Sequence, residues 1–126
     1  MGAHVSGPYR ILVADDHSVV RTALSRSLEL YDDLKVVGEA VDGEDAIRQV
    51  QQLHPDVVIM DASMPNLSGI EATRLITRST PGVRVIGLSM HDSDWMARTM
   101  IESGAVAFVE KSAPYDRLVQ AIRGTA

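Results

Sequence analysis

Three aspartates follow two short apolar runs of the chain, and together they could form a metal-dependent phosphoryl site. Asp15 and Asp16 come directly after residues 11–14, and Asp61 comes directly after residues 57–60. If the two runs are neighbouring parallel strands, the three carboxylates meet at one edge of a sheet. Such like charges raise one another's pKa unless a cation lies among them. Mg²⁺, which prefers oxygen ligands, is the cofactor that this arrangement predicts.

A hydroxyl and an ammonium group follow two later apolar runs. Ser89 comes after the fourth run and Lys111 comes after the fifth. At the same sheet edge they would face the carboxylates and help to hold a phosphoryl group. A carboxylate can attack a phosphoryl donor and form an acyl phosphate while a metal and a lysine balance the charge. We expect Asp61 to be the nucleophile, since the adjacent acids after the first run are better placed as metal ligands.

Five short runs rich in valine and isoleucine alternate with segments of helical spacing between Arg10 and Arg123. This alternation is typical of βα units around a parallel sheet. The runs predict strands at residues 11–14, 35–40, 57–60, 83–88 and 106–109. We therefore predict an α/β fold, a flavodoxin-like, doubly wound (βα)5 three-layer sandwich with parallel strand order 2-1-3-4-5. In this fold, ligands bind at the carboxyl ends of the strands, beside the switch in strand order.

Apolar residues spaced three and four positions apart predict amphipathic helices between the strands. The first of these helices is expected to include Tyr31. Ser68 and Glu71 have the spacing of a capping box and should begin the third helix. The fourth helix should end at Gly104 in a left-handed cap, and the last should begin near Pro114, which a first turn accepts.

The composition of the 126 residues indicates one ordinary globular domain. The net charge of −5 and the lack of a basic stripe argue against direct nucleic-acid binding. The chain has no cysteine and no apolar run long enough to span a membrane, so we expect a cytoplasmic protein with no membrane contact. Residues 1–8 should be disordered or left over from expression, and residues 9–126 should form the domain.

The motifs at the predicted strand ends closely resemble those of the response-regulator receiver domain of two-component signalling. The resemblance covers Tyr9 to Arg123, with every motif in the order found in that family. The motifs are Ala14-Asp15-Asp16-His17, Asp61-Ala62-Ser63-Met64-Pro65-Asn66-Leu67-Ser68-Gly69, Leu88-Ser89 and Phe108-Val109-Glu110-Lys111. The resemblance implies a signalling domain whose only chemistry is its own phosphorylation and dephosphorylation, and not an enzyme.

The resemblance implies a role for each matching residue. Asp61 would accept a phosphoryl group from a histidine kinase or a phosphotransfer protein. Mg²⁺ would be bound by the side chains of Asp15, Asp16 and Asp61. A further ligand would be the backbone carbonyl of Ser63, and Lys111 would pair with the phosphoryl group.

The resemblance also implies a switch. Ser89 occupies the hydroxyl switch position, and Phe108 occupies the aromatic position whose inward turn accompanies activation in the family. The change would be read on the surface formed by helix 4, strand 5 and helix 5, which could also hold a dimer together. Met90, directly after the switch serine, is bulkier than the small residue often found there. It would restrict access to the phosphoryl group, so the lifetime of the phosphorylated state is left open.

Two kinds of parent protein fit the pattern. Residues 85–92 resemble receivers joined to helix-turn-helix transcription factors, and also receivers of hybrid histidine kinases. In the first case, a DNA-binding output domain would lie outside this chain. In the second case, the partner would be another phosphotransfer protein.

Other functions fit the same residues less well. A phosphatase of the haloacid-dehalogenase type would need an acid two residues after its nucleophile, where Ser63 stands. A cobalamin-binding motif would need glycine in place of Val20. A flavin or dinucleotide binder would need a phosphate-binding loop after the first strand, and the acidic pair there would repel phosphate. His17 is interpreted as a helix-start residue near the site, because Mg²⁺ prefers oxygen ligands.

Overall fold

The computed structural model describes residues 7–90 and 94–124, in which five strands and five helices alternate along the chain. The strands are β1 (Tyr9–Ala14), β2 (Leu34–Ala40), β3 (Val57–Asp61), β4 (Arg84–Ser89) and β5 (Ala107–Glu110). The helices are α1 (Ser18–Leu28), α2 (Gly43–Leu53), α3 (Gly69–Ser79), α4 (Asp94–Glu102) and α5 (Tyr115–Arg123). Each strand lies within two residues of its predicted range at both ends.

The strands form one parallel sheet with the order β2-β1-β3-β4-β5, which confirms the predicted doubly wound fold. Helices α2, α3 and α4 cover one face of the sheet, and α1 and α5 cover the other. Alternate residues of β1 therefore enter different cores: Leu12 packs with the first group, while Ile11 and Val13 pack with the second. Burial of both faces explains why the central strands β1, β3 and β4 are mainly apolar.

The residues predicted to begin α3 and α5 and to end α4 lie at those helix ends. The Ser68 side chain accepts a hydrogen bond from the Glu71 backbone N–H at 3.2 Å, as a capping box requires. The Glu71 carboxylate instead accepts a hydrogen bond from Arg74 at 2.6 Å. Gly104 has a φ of +119°, and Pro114 is the residue that precedes the first turn of α5.

The prediction that the first helix includes Tyr31 is wrong. Helix α1 ends at Leu28, and Glu29 caps it with its backbone N–H still bonded to Ser25 O. The backbone N–H of Leu30 donates to Ser27 O, and that of Tyr31 donates to Leu28 O. These bonds span three residues and not four, so they tighten the chain into a turn. Tyr31 still packs beside the core because the turn returns it towards the sheet.

Two further expectations concern the N-terminal segment and membrane-spanning helices. Residues 1–6 lie outside the described residues, so the assignment of residues 1–8 as a disordered or appended segment stays a prediction. None of the helices within residues 7–90 and 94–124 has the length and apolar character needed to cross a membrane.

Gly69 allows the start of α3 to lie against the end of β3. A Cβ atom at this position would lie 1.8 Å from the carbonyl oxygen of Asp61. The Gly69 backbone N–H donates to the carbonyl of Ala62 at 3.1 Å, which holds the two segments in this close contact. The position of Asp61 thus depends on the absence of a side chain at residue 69.

We predict that Gly69→Ala lowers the free energy of unfolding by more than about 2 kcal/mol, because the backbone of Asp61 or α3 must move to remove the clash. The matched control is Gly82→Ala, whose added Cβ would meet no atom within 4 Å. This control should change stability by no more than about 0.5 kcal/mol. Urea unfolding followed by circular dichroism measures both, and equal effects of the two substitutions would contradict the prediction.

Candidate functional site

Four of the predicted site residues lie at the carboxyl ends of adjacent strands. Asp15 directly follows β1, and Asp61 is the last residue of β3. Ser89 is the last residue of β4, and Lys111 directly follows β5. Because these strands are neighbours that pair close to their ends, the four residues are brought to one edge of the sheet.

An open cleft lies above this edge of the sheet. Asp61, Ser89 and Lys111 line its floor, and Asp16, His17 and Ser63 line it from the loops that follow β1 and β3. Three methionines, Met64, Met90 and Met96, complete much of the wall. Asp15 is fully buried and is not part of the lining. Asp61 is therefore open to a ligand from the cleft, whereas Asp15 is covered.

Lys111 holds the two most buried carboxylates together. Its Nζ lies 2.7 Å from Asp15 Oδ2 and 3.2 Å from Asp61 Oδ2. All three side chains are buried, with exposures of 7%, 0% and 5%. The Lys111 backbone N–H donates to Ser89 O at 2.8 Å, which continues the pairing of β4 with β5 beyond the end of the strand. The pairing of these strands thus fixes where the ammonium group lies.

The electrostatics of Asp61 follow from this burial. Burial raises the pKa of Asp61 to about 6, and the nearby charge of Asp15 adds to the effect. Lys111 and the backbone N–H of Ser63 act in the opposite direction without restoring the ordinary value. Burial alone would lower the pKa of Lys111, but its hydrogen bond to Asp15 and the charge of Asp61 hold that pKa above its usual value. One lysine therefore does not fully compensate the acidic group.

The acidic group has the composition of a site for a hard dication. Ligand atoms of Asp15, Asp16, His17 and Asp61 all lie within 4.8 Å of one another. Asp16 Oδ1 is buried and accepts no hydrogen bond, so it is available to a cation. Carboxylate oxygens are preferred ligands of Mg²⁺. The residues present thus fit the predicted cofactor.

Ser63 lies where the sequence placed it, in the loop after β3 that forms one wall of the cleft. Its backbone N–H donates to Asp61 Oδ1 at 3.3 Å, which orients the carboxylate. The loop is held from outside by two contacts with the start of α2. Asn66 donates to Asp42 Oδ2 at 2.7 Å, and the Gly43 backbone N–H donates to the carbonyl of Leu67 at 3.0 Å.

Sequence reasoning missed Asn66 and Asp42 as positioning residues. Asn66 has a φ of +65°, a left-handed conformation that asparagine tolerates better than most residues. Asp42 caps α2 by accepting the Asp45 backbone N–H at 2.8 Å. An asparagine in a turn and an aspartate before a helix were visible signals. Their mutual contact was not visible, because 24 residues separate them along the chain.

Phe108 lies on β5 opposite Gly87 of β4. It is half-buried and packs against the core beneath α2, α3 and α4. A Cβ at Gly87 would lie 2.7 Å from Met100 Cε and 3.1 Å from Phe108 Cδ1, so the glycine makes room for both side chains. Phe108, the predicted aromatic switch residue, therefore packs beside Met100, the buried side chain of α4.

The description of His17 as a helix-start residue agrees with its position as the N-cap of α1. Its imidazole also reaches the acidic group, with Nδ1 lying 3.3 Å from Asp15 Oδ1 and 3.3 Å from Asp16 Oδ1. Met90 is 61% exposed at the mouth of the cleft, directly after Ser89. Both residues are therefore close enough to influence what enters the site.

Comparison with known proteins gives matches to response regulators. A family model described as the response regulator receiver domain matches residues 11–123. The response regulator GacA of Pseudomonas viridiflava is 41% identical over 114 residues, which are 90% of this chain and 53% of that protein. The response regulator UvrY of Escherichia coli is 42% identical over 113 residues, 90% of this chain and 52% of that protein. The chain thus spans about half the length of these curated relatives.

Solved structures agree with the sequence comparison. A two-component response regulator of the LuxR family from Aurantimonas sp. SI85-9A1 has a TM-score of 0.89 and 37% identity, covering 94% of this chain and 84% of that one. The signal receiver domain of NarL from Mycobacterium tuberculosis has a TM-score of 0.88 and 30% identity, covering 93% and 94% of the two chains.

We predict that Asp61→Asn stabilises the metal-free protein at pH 7.5 by on the order of 1–2 kcal/mol, after allowance for partial screening by solvent. The pKa of Asp61 is about 6 in the folded chain and near 3.8 when unfolded. Because folding raises this pKa, the ionised carboxylate lowers stability above about pH 6, and this cost fades as the pH falls towards about 4. The gain from asparagine should fade over the same range.

Urea unfolding with a chelator present, repeated at several pH values, measures this gain. Asp33→Asn is the matched control, because the hydrogen bond from Arg123 lowers the pKa of that exposed aspartate. Its substitution should reduce stability and not increase it. A loss of stability in Asp61→Asn at pH 7.5 would contradict the predicted electrostatic cost.

Proposed function

Because this chain belongs to the response regulator receiver domain family, we propose that it is the phosphoacceptor domain of a two-component phosphorelay, with Asp61 as the phosphoacceptor. The donor is a histidine kinase or a phosphotransfer protein. The observation that carries the proposal is the buried contact of Lys111 with Asp61 and Asp15 on the floor of an open cleft.

Asp61 is the best nucleophile of the three acids. Asp15 is fully buried, its Oδ1 accepts the backbone N–H of His17 at 2.8 Å, and its Oδ2 pairs with Lys111. Asp16 does not reach the lysine within ion-pair distance among the described contacts. Asp61 alone combines contact with Lys111 and access from the cleft.

The proposed reaction is an in-line transfer. A carboxylate oxygen of Asp61 attacks the phosphorus of a phosphohistidine, and a mixed anhydride of carboxylate and phosphate forms. The P–N bond breaks, and its electron pair stays on the imidazole nitrogen, which takes up a proton. With a pKa of about 6, Asp61 is mostly ionised at neutral pH and is more basic than an ordinary aspartate. Lys111 offsets charge on the phosphoryl oxygens.

Asp15, Asp16 and Asp61 would hold Mg²⁺, and the backbone carbonyl of Ser63 would complete the protein's share of the ligands. When bound, the ion balances negative charge on the transferring phosphoryl group. The support for this ligand set is the close approach of the three acids and the buried Asp16 Oδ1, which accepts no hydrogen bond. Asn66 and Asp42 would hold the Ser63 loop in place during the transfer.

The proposed output is a change at the surface formed by α4, β5 and α5. Ser89 binds the new phosphoryl group and draws the end of β4 towards Asp61. Phe108, whose ring already lies beside Gly87 and Met100, then changes its packing at this point. Trp95 and Ile101 are exposed on α4, at 62% and 47%, and could pack in a dimer through this surface. A switch of this kind biases a two-state element by one new contact.

The parent protein is proposed to be a regulator with an output domain outside this chain. The relatives named as response regulators are about twice as long as the matched region, which favours a helix-turn-helix transcription regulator over a hybrid kinase. The net charge of −5 favours an indirect effect on DNA, through that output domain. A cytoplasmic location and a domain extending over residues 9–126 complete the proposal.

Incubation with Mg²⁺ and acetyl phosphate should add one phosphoryl group that hydroxylamine removes, because an acyl phosphate is sensitive to this nucleophile. Mass spectrometry of the intact chain measures the addition. Asp61→Asn should abolish it, and the exposed control Asp33→Asn should not. Unchanged labelling of Asp61→Asn would overturn the phosphoacceptor assignment. Equal labelling with a chelator present would contradict the metal role of Asp15 and Asp16.

We predict that Met90→Ala shortens the lifetime of the phosphorylated state by about threefold, or roughly 0.7 kcal/mol in the barrier to hydrolysis. The smaller side chain admits water to the cleft mouth that Met90 lines. The decay of the phosphorylated chain after removal of the donor measures the effect. Leu30→Ala is the control, since Leu30 is 83% exposed and does not line the cleft. An unchanged lifetime in Met90→Ala would show that Met90 does not limit access.

A further inference from the structure

We propose that His17 is an additional ligand of the metal centre, used by dications that accept nitrogen, such as Co²⁺ and Zn²⁺, and not by Mg²⁺. The inference rests on the metal site of the proposed function and gives it a second class of cofactor. It starts from one juxtaposition, in which His17 Nδ1 lies 3.3 Å from a carboxylate oxygen of Asp15 and 3.3 Å from one of Asp16.

The distances from His17 Nδ1 to the two carboxylate oxygens suit one shared ion. Bonds of about 2.0–2.2 Å to a tetrahedral Zn²⁺ place two of its ligand atoms about 3.3–3.6 Å apart. Both distances from His17 Nδ1 fall at the start of this range. The nearest ligand atoms of Asp61 also lie within 4.8 Å of the others. The imidazole therefore lies close enough to both carboxylates to share an ion with them.

The turn between β1 and α1 holds the imidazole near the acids. The backbone N–H of His17 donates to Asp15 Oδ1 at 2.8 Å, so the residue is tied to the carboxylate that it would share an ion with. Arg21, which lies in α1, donates from Nη1 to the backbone carbonyl of Asp15 at 2.7 Å. This bond ties the turn to the helix that follows it. The backbone of His17 is therefore ordered before a metal binds, which lowers the entropic cost of binding.

The oxygen side of the site is also prepared. Asp16 Oδ1 is buried and accepts no hydrogen bond. An oxygen in this state carries an energetic cost that a cation would remove. Lys111 lies on the far side of the group, against Asp15 and Asp61, and does not approach Asp16 within ion-pair distance among the described contacts. The Lys111 ammonium group therefore does not occupy the position beside Asp16 and His17 where a metal would bind.

The mixed set of nitrogen and oxygen donors gives selectivity. Imidazole is a common ligand of Zn²⁺ and other first-row transition metals, whereas Mg²⁺ prefers carboxylates, carbonyls and water. Removing the imidazole should therefore weaken the binding of Co²⁺ and Zn²⁺ and leave that of Mg²⁺ nearly unchanged. An imidazole that merely forms ion pairs with Asp15 and Asp16 would behave differently. It would compete with every cation, so its removal would strengthen or leave unchanged the binding of all three metals.

Isothermal titration calorimetry of the purified chain with MgCl₂, CoCl₂ and ZnCl₂ tests this inference. His17→Asn should lower the affinities for Co²⁺ and Zn²⁺ by on the order of tenfold or more and change the Mg²⁺ affinity by less than about twofold. Asparagine is a good N-cap residue, so α1 should keep its start. The visible absorption of bound Co²⁺, which reports nitrogen ligation, should also weaken in this variant.

His54→Asn is the matched control. His54 lies at the end of α2 in a left-handed conformation with a φ of +49°, which asparagine tolerates. This variant should bind all three metals as the wild-type chain does. Equal losses in the two variants, or equal losses for all metals in His17→Asn, would overturn the inference. The wild-type chain could instead bind Co²⁺ through His17 but show neither Mg²⁺ binding nor labelling by acetyl phosphate. That result would count against the proposed function and not against this inference.

Discussion

The repulsion among buried carboxylates at the carboxyl edge of the sheet is the constraint on which the site depends. Burial and the charge of Asp15 raise the pKa of Asp61 to about 6, and the contact with Lys111 offsets only part of this cost. The folded chain therefore keeps an acidic group that further positive charge would stabilise. A dication with oxygen ligands is what this acidic group is suited to receive.

The rest of the fold places these charges accurately. Parallel strands bring their carboxyl ends to one edge, and the pairing of β4 with β5 continues to Lys111. Gly69 lets α3 begin in contact with the Asp61 carbonyl, and the Asn66 contact with Asp42 ties the adjoining loop to α2. Each contact lies outside the cleft but limits the movement of a residue within it. A precise site is thus built from close packing of the segments that support it.

Helix α4 is attached more strongly at one end than at the other. Met100 is its only fully buried side chain among the described residues, and Ser103 and Thr77 link the end of the helix to α3. Trp95, near its start, is 62% exposed. A segment with few buried contacts costs little to rearrange. Near the cleft, α4 contacts the core through the half-buried Met96, so its start is held less firmly than its end.

The sequence by itself determined the five strands, their order and the presence of acids, a hydroxyl and a lysine at their ends. It could do so because strand composition and helix spacing are local properties, as the capping pair Ser68 and Glu71 also is. It wrongly extended the first helix to Tyr31. The apolar spacing continues to this residue, but the helical hydrogen bonds stop before the turn that contains it. Only the tertiary structure decided that Lys111 pairs with Asp15 and that the His17 imidazole reaches two carboxylates. Those contacts depend on strand register, turn geometry and burial, which are set by residues far apart along the chain.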